Sequence, residues 1–337
     1  MTSSLAVRLD SDGDVLLAGP AVRALAADGP VDLLVSPAGE QAAGLLPGVR
    51  RTHVFSAPWS GYRPPPLDRA ALARLATDLS ARRYDRGVIL VSHHQSPLPA
   101  ALVLRAAGVG FLAADCEDYP GSLLDLRHRR APARHEVEAA LDLVRALGAP
   151  LPEGDDARLA VREPLPDVTD LVPDRPFVVV HPGAAVPARA PTADHAAAIV
   201  AALVADGLRV VVTGASAEGA LAAQVAGGHG ISVAGRTSYA RLAAVLRAAR
   251  AVVVGNTGPA HLAAAVGTPV VSLFSPVVPV ELWRPWRVRS VVLGDQTAAC
   301  AGTRARRCPV VGHPCLSGVT PGFVVEAVHS VIRRSGR

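Results

Sequence analysis

The 337 residues suffice for two domains, and with 50% hydrophobic and 19% charged residues they can bury ordinary cores, which excludes a disordered chain. The net charge of +5 rests on arginine alone, because the sequence has no lysine; the arginines are scattered, which argues against a nucleic-acid-binding patch. Residues 1–14 show no basic region followed by a long apolar run, so we expect no secretory signal and a cytoplasmic location.

Short apolar runs alternate with helical patterns through the first half of the chain. Strands are predicted at 5–9, 31–35, 52–55, 88–91 and 110–113, and helices at 15–27, 67–81 and 97–107. Continuous Val, Ile and Leu runs separated by helices are typical of parallel sheets covered on both faces. We therefore expect residues 1–150 to form an N-terminal Rossmann-like domain.

An acidic turn, Ser11-Asp12-Gly13-Asp14, follows the first predicted strand. Ligands bind at the carboxyl ends of parallel strands, where Asp14 could accept a proton from an attacking hydroxyl. The alternative is that Asp12 or Asp14 only caps the following helix.

Two further loops are expected at the same edge of the sheet. One carries His93, His94 and Gln95, and the other carries Asp118 and Tyr119. Contacts with an acceptor substrate and plain loop positions are both compatible with these residues. We expect no metal, because adjacent histidine side chains diverge and no matching set of ligands accompanies them.

A proline-rich stretch separates the two halves. Prolines at 152, 164, 166, 173 and 176 favour extended or turning chain, so residues 151–176 are predicted to be a linker.

The alternation resumes at residue 177. Strands are predicted at 177–180, 208–212, 231–233, 251–254, 270–274 and 291–293, and helices at 193–204, 217–226, 239–249 and 259–265. The fold class is therefore predicted to be α/β, with residues 177–320 forming a second doubly wound Rossmann-like domain that faces the first across a cleft. A final helix, with Thr320 as its cap, occupies 321–337 and is expected to pack back towards the N-terminal domain.

The stretch from 251 to 280 has no charged residue, yet its glycines and prolines divide it into strand, turn, helix and strand. We interpret it as buried core and expect at most peripheral membrane contact. Cys300, Cys308 and Cys315 lack the Cys-x-x-Cys pairs of zinc sites, so we expect reduced thiols.

Two turns of the second half could bind a diphosphate. His181-Pro182-Gly183 follows a strand and precedes Arg189, whose planar guanidinium suits phosphate oxygens, although Arg189 could equally be a surface residue. Asn256-Thr257-Gly258 leads into a helix that carries His261, and helix N-termini attract anions. The alternative is that His261 is a hydrogen-bonded core residue.

A third turn, Thr213-Gly214, precedes Glu218. A carboxylate at this position can bind ribose hydroxyls, or it can merely complement the dipole of the next helix.

Taken in order over residues 5–330, these motifs resemble glycosyltransferase family 9, the heptosyltransferase-like enzymes. The residues that carry the resemblance are Gly13-Asp14 with Pro20, His181-Pro182-Gly183 with a basic residue, Thr213-Gly214 with Glu218, and the run from Asn256 through His261 to Ala265. The resemblance implies a GT-B fold whose second domain binds a nucleotide-diphosphate sugar such as ADP-heptose. It also implies metal-independent transfer with inversion, without a cofactor.

Roles for individual residues follow from the same resemblance. Asp14 would be the general base, Arg189 a clamp on the phosphate or donor sugar, and Glu218 a ribose contact. Thr257 and Gly258 would cradle the diphosphate, supported by His261. The remaining expected donor residues are His181, Gly183, Thr213, Gly214, Gly235 and Asn256, and the expected acceptor-side residues are Asp12, Gly13, His93, His94, Gln95, Asp118 and Tyr119.

The acceptor would be a hydroxyl of a cell-envelope glycan or a lipid-linked glycan. The chain departs from the family pattern at three points: Asn256 stands where Asp is usual, Arg189 replaces a lysine, and Ala190-Pro191 replaces a tryptophan. Three other functions stay open, namely a nucleotide-sugar epimerase, a non-catalytic nucleotide-sugar-binding protein and, less favoured because Gly-x-Gly-x-x-Gly is missing after the first strand, an NAD-dependent dehydrogenase.

Overall fold

The computed structural model describes residues 1–61 and 63–333. The chain divides into two compact units, Met1–Val161 and Arg162–Arg337, and the division lies inside the proline-rich stretch 151–176. Each unit holds a six-stranded sheet whose strands are all parallel. The predicted α/β class with two doubly wound domains is confirmed.

The first sheet has the order β3-β2-β1-β4-β5-β6. Its strands are β1 Ser4–Arg8, β2 Val31–Val35, β3 Val49–Val54, β4 Arg86–Ile89, β5 Phe111–Asp115 and β6 Leu126–His128. The helices of this unit are α1 Asp12–Asp28, α2 Glu40–Leu45, α3 Arg69–Ser80, α4 Leu98–Ala106 and α5 Glu136–Ala146. Strands β1 and β2 are buried along their whole length, as expected for a parallel sheet covered on both faces.

The second sheet has the order β12-β11-β10-β7-β8-β9. Its strands are β7 Phe177–His181, β8 Arg209–Val212, β9 Ile231–Ser232, β10 Val252–Gly255, β11 Val270–Leu273 and β12 Ser290–Leu293. The helices of this unit are α6 Ala193–Ala205, α7 Gly219–Ala226, α8 Tyr239–Ala248, α9 Gly258–Ala265, α10 Val280–Trp283, α11 Pro314–Ser317 and α12 Pro321–Arg333.

Helix α12 belongs to the core of the second unit. Thr320 Oγ1 accepts the N–H of Phe323 at 3.3 Å, so the predicted cap is confirmed. The helix contacts α6, and its apolar stripe is buried in the second unit's core, because Val324, Val328 and Val331 recur at helical spacing. That the helix also packs back towards the N-terminal domain stays a prediction. The last part of the predicted helix, residues 334–337, lies outside the described residues.

The order of the strands locates the edge at which a ligand can bind. In each sheet the chain moves outward from its first strand in one direction and then returns to the other side, so the topology switches between β1 and β4 and between β7 and β10. Doubly wound sheets bind ligands at the carboxyl ends of the strands beside such a switch.

None of the helices in the described part of the chain is long and apolar enough to span a bilayer.

Candidate active site

A buried arginine surrounded by carboxylates lies at the carboxyl end of β1. Arg8, the last residue of this strand, is 2% exposed. Its Nε lies 2.9 Å from Asp10 Oδ2, and its Nη2 lies 3.3 Å from Asp14 Oδ1 and 3.3 Å from Glu136 Oε2. Burial by itself would lower the pKa of Arg8, but the three carboxylates outweigh burial and raise it. The guanidinium is therefore a permanent positive charge.

A second arginine fixes the far side of this cluster. Arg130 Nη1 lies 2.6 Å from Glu136 Oε1, and Arg130 Nη2 donates to the carbonyl of Val91 at 2.9 Å. Arg8 Nη2 also donates to Ser92 Oγ at 2.7 Å. Sequence reasoning missed Arg8, Arg130 and Glu136, although a charged residue closing an apolar strand was a signal that could have found Arg8.

Asp14 is the most accessible carboxylate of the cluster. Its side chain is 23% exposed, against 11% for Asp10 and 0% for Glu136. Asp14 is the third residue of α1, and Ser11 Oγ donates to its Oδ2 at 2.8 Å.

Gln95 and Asp12, two of the expected acceptor-side residues, form hydrogen bonds within the protein. Gln95 Nε2 donates to Asp10 Oδ1 at 2.5 Å, and the N–H of Ser92 donates to Gln95 Oε1 at 3.1 Å, which joins the loops after β1 and β4. Burial raises the pKa of Asp10 to about 6. Asp12 Oδ1 accepts the N–H of Ala42 at 2.9 Å, and burial raises its pKa to about 6 as well.

The other expected acceptor-side groups project into solvent. His93 and His94 are exposed, with ring centroids 5.2 Å apart, and Asp118 is exposed beside Tyr119, which is 86% exposed. Within residues 1–61 and 63–333, no group of three or more His, Cys, Asp or Glu side chains is arranged to hold a metal ion.

In the second unit, the ends of β7 and β8 meet through a buried polar pair. His181 Nδ1 lies 2.9 Å from Thr213 Oγ1. Burial lowers the pKa of His181, although the charge of Glu218 acts in the opposite direction. The imidazole is therefore neutral near pH 7, and its hydrogen bond with Thr213 fixes the ring at the start of the Gly183 turn.

Glu218 lies directly over the glycine turn that follows β7. A Cβ at Gly183 would lie 1.9 Å from Glu218 Oε1, so no other residue type fits there with Glu218 in this position. Glu218 Oε2 accepts the N–H of Ala215 at 2.7 Å. Gly235 supports the same region, since its N–H donates to the carbonyl of Gly214 at 3.0 Å. The predicted donor residues after β7, β8 and β9 are therefore neighbours.

The turn after β10 is equally close to the Arg189 segment. A Cβ at Gly255 would lie 2.4 Å from the carbonyl oxygen of Arg189, so these two backbones touch. Thr257 is the N-cap of α9 without using its side chain as a cap, and Gly258 begins the helix. His261 is buried in the first turns of α9. The helix N-terminus and the Arg189 turn thus lie side by side.

The amide of Asn256 is used inside the protein. Its Nδ2 donates to the carbonyl of Ser275 at 3.3 Å, and its Oδ1 accepts the N–H of Ser275 at 3.2 Å. This reciprocal pair joins the ends of β10 and β11. An aspartate could make only the second of these hydrogen bonds, which gives a structural reason for Asn at this position.

The cysteine-containing segment after β12 packs along the Arg189 turn. The N–H of Ala188 donates to the carbonyl of Arg306 at 3.1 Å, and the N–H of Arg304 donates to the carbonyl of Val277 at 2.8 Å. Cys300, Cys308 and Cys315 form no disulfide bond in the described part of the chain, and burial raises the pKa of Cys315 to about 11.

Known proteins resemble this chain in sequence and in fold. The model of glycosyltransferase family 9 (heptosyltransferase) matches residues 72–312. A search among curated proteins gives no match.

Solved structures resemble the chain over nearly its whole length. ADP-heptose LPS heptosyltransferase II of E. coli is 20% identical, covers 100% of both chains and superposes with a TM-score of 0.73. A family 9 glycosyl transferase from Veillonella parvula DSM 2008 is 16% identical, covers 99% of this chain and 98% of its own, and has a TM-score of 0.78. E. coli heptosyltransferase WaaC with ADP-2-deoxy-2-fluoro heptose is 21% identical over 98% of this chain and 99% of its own, with a TM-score of 0.72. These likenesses show that the two-unit architecture is that of GT-B heptosyltransferases.

Proposed function

The chain belongs to glycosyltransferase family 9, the heptosyltransferase family, and on this premise we propose that it transfers a heptose-like sugar from a nucleotide-diphosphate donor to a hydroxyl of a glycan acceptor. We further propose that the transfer inverts the anomeric carbon and needs no metal ion. Membership of a transferase family favours this function over an epimerase or a non-catalytic binding protein.

The donor is proposed to bind to the second unit. The turns after β7 and β10 flank the topological switch, and Gly183 and Gly255 allow Glu218 and the Arg189 backbone to approach these turns closely. Glu218 is available to the ribose hydroxyls, and Thr257 to the diphosphate. The complex of WaaC with an ADP-heptose analogue supports an ADP-heptose-like donor.

Asp14 is proposed as the general base, and its accessibility is the observation that carries this assignment. Inversion in one displacement needs a single carboxylate to remove the proton as the acceptor oxygen attacks. Among the carboxylates around Arg8, Asp14 combines the greatest exposure with a firmly held position. Asp10 and Glu136 are too buried to meet a substrate hydroxyl.

The charge that grows on the departing diphosphate is proposed to be stabilised by Arg189 and the N-terminus of α9. An arginine fork and a helix dipole are both suited to phosphate oxygens, and the Arg189 turn lies directly against the turn that begins α9. The exposed His93, His94, Asp118 and Tyr119 are the proposed contacts of a glycan or lipid-linked acceptor, with at most peripheral membrane contact.

Asp14→Asn tests the central step. With an ADP-heptose-like donor, a lipid-linked glycan acceptor and EDTA in the assay, we expect kcat to fall about 10²- to 10⁴-fold, the usual contribution of a general base. Calorimetric affinity for ADP should stay unchanged, because Asp14 lies in the first unit. Asp78→Asn, at an exposed position of α3, is the matched control and should retain full turnover. Unchanged turnover by Asp14→Asn would remove Asp14 from this role, and loss of turnover in EDTA would disprove metal independence.

A further inference from the structure

Arg8 occupies a position that an apolar residue would normally fill. It closes β1, whose five residues are all buried, and its own side chain is 2% exposed. A buried guanidinium is costly unless it is paired with groups of opposite charge. Arg8 finds partners on four segments of the first unit: Asp10 after β1, Asp14 on α1, Ser92 after β4 and Glu136 on α5.

Glu136 and Arg130 hold the guanidinium of Arg8 in place. Glu136 contacts both Nη1 and Nη2 of Arg8 at 3.3 Å and is itself fixed by Arg130 at 2.6 Å. Arg130 is in turn anchored on the carbonyl of Val91. Since Ser92 Oγ fixes Nη2 at 2.7 Å, the nitrogen that faces Asp14 has a defined position.

We infer that Arg8 is a positioning residue for the transfer reaction: through Nη2 it holds the Asp14 carboxylate ionised and oriented, so that Asp14 can take up the proton of the acceptor hydroxyl. The inference depends on the proposed role of Asp14 as the base. Arg8 does not itself react, but it sets the pH above which Asp14 is ionised and can act as the base.

The charges around Asp14 explain why this task is needed. Asp10 and Glu136 are the carboxylates that share Arg8 with it, so without the guanidinium three acids would face one another. Other charged groups of the same network are Asp12 on α1, Asp115 on β5, His128 on β6 and Arg130 before α5. Carboxylates crowded in this way favour the protonated form, and an adjacent guanidinium favours the ionised one.

Two substitutions in this network should move the titration of Asp14 in opposite directions. Arg8→Gln removes the positive charge and should shift the acidic limb of the kcat/KM profile upward by about 1 to 3 pH units. Glu136→Gln removes a negative charge beside Asp14 but leaves Arg8 in place, so the same limb should move downward. A purely structural role would lower stability without moving the limb.

The titration can be followed without relying on activity. Protein labelled with ¹³C at the aspartate carboxyl carbons gives the titration of Asp14 directly, once its signal is assigned by its loss in Asp14→Asn. Arg23→Gln is the matched control: it also breaks an arginine–carboxylate pair of α1, the contacts to Asp155 at 2.7 and 2.8 Å, but it does not touch Asp14. Its Asp14 signal should titrate as in the wild type.

Arg8→Lys keeps the test valid if Arg8→Gln does not fold. Lysine keeps the charge but not the fork that reaches several partners at once. We therefore expect Arg8→Lys to keep the acidic limb close to its wild-type position while kcat falls about tenfold or more, because orientation is lost.

The inference is overturned if the Asp14 signal titrates identically in the wild type, Glu136→Gln and whichever Arg8 variant folds. That outcome differs from failure of the proposed function. If Asp14→Asn keeps full turnover while the Asp14 signal responds to Arg8 as expected, the base assignment fails and the electrostatic coupling stands. If Asp14→Asn loses turnover and the signal does not respond, only the role of Arg8 is lost.

Discussion

The amide nitrogen of Asn256, which an aspartate would lack, lets this side chain bind the protein backbone instead of a ligand. The family pattern places an aspartate here, which suggests a ligand contact, whereas this chain uses both ends of the amide to bind the backbone of Ser275. The amide is buried, so it satisfies two backbone groups that water cannot reach.

Asn256→Asp should therefore destabilise the second unit. The carboxylate can still accept the N–H of Ser275, but it places a negative oxygen against the carbonyl of Ser275, which loses its donor. Leaving a buried acceptor unsatisfied costs about 1–3 kcal/mol. Thermal or denaturant unfolding measures the loss.

Asp295→Asn is a suitable control for Asn256→Asp. It exchanges the same two residue types, in the opposite direction, at a carboxylate that accepts only the hydroxyl and N–H of Thr297 on the surface. We expect a much smaller effect there. Equal stability of Asn256→Asp and the wild type would show that the reciprocal pair contributes nothing.

The sequence could predict candidate site residues that stand in local motifs, but not residues whose partners are distant in sequence. Asp14, Gly183 and Gly258 could be proposed as candidates because each stands in a short motif directly after an apolar strand. The use of Asn256 could not be predicted, because Ser275 follows strand β11 and becomes its partner only through the pairing of β10 with β11. Arg8 depends in the same way on Glu136, 128 residues further along the chain.

At the scale of elements, a few side chains connect the helices that surround the candidate base. Asp12 begins α1, but its carboxylate accepts the N–H of Ala42 in α2, so it ties the two helices together. Burial raises the pKa of Asp12 to about 6, although the bond from Ala42 lowers it. The folded protein thus binds a proton on Asp12 at pH values at which the unfolded chain, with a pKa of 3.8, has released it.

The sign of the resulting pH dependence follows from linkage. Between about pH 4 and pH 6 the native state binds more protons than the unfolded state, so the contribution of Asp12 to the free energy of unfolding falls as the pH rises. Asp12→Asn keeps the acceptor for Ala42 and removes the titration. After allowance for partial exposure to water, we expect the variant to be about 1–2 kcal/mol more stable than the wild type at pH 7, and nearly equal to it below pH 4.

Urea unfolding of both proteins from pH 4 to pH 8 measures this difference. Asp10 titrates in the same range but is present in both proteins, so the difference between them isolates Asp12. A stability difference that does not change with pH would contradict the assignment.

Element prediction succeeded where burial is continuous, but it missed one short edge strand and one helix. The apolar strands at 31–35 and 270–274 lie where β2 and β11 are found, because central strands of a parallel sheet must be apolar on both faces. Strand β6 was missed: it has three residues, Leu-Arg-His, and exists through its pairing with β5 at the sheet edge. Helix α5 was also missed, although Val137, Leu141 and Val144 recur at helical spacing.

On the scale of the whole molecule, the same architecture occurs twice with separate buried interiors. One apolar cluster contains Leu104 of α4 and lies within the first unit, and another contains Leu203 of α6 and lies within the second. We therefore expect each unit to unfold cooperatively in its own transition, and to be destabilised by substitutions in its own core.

Calorimetry of the full chain can assign the unfolding transitions with a matched pair of core substitutions. Leu104→Ala and Leu203→Ala each remove a side chain that is 0% exposed, at a cost of about 2–5 kcal/mol. We expect Leu104→Ala to lower the unfolding temperature of the first unit only. Leu203→Ala should lower the unfolding temperature of the second unit only. Leu102→Ala, on the same helix as Leu104 but 60% exposed, should leave both transitions in place.

A nucleotide then links the transitions to function. The proposed donor residues lie in the second unit, so ADP at about 100 times its Kd should add about 2.7 kcal/mol to the free energy of unfolding of that unit. ADP should therefore raise the temperature of only the transition that Leu203→Ala lowers. A rise in the transition that Leu104→Ala lowers would place the nucleotide in the first unit. A single transition lowered equally by both substitutions would show that the two cores unfold as one.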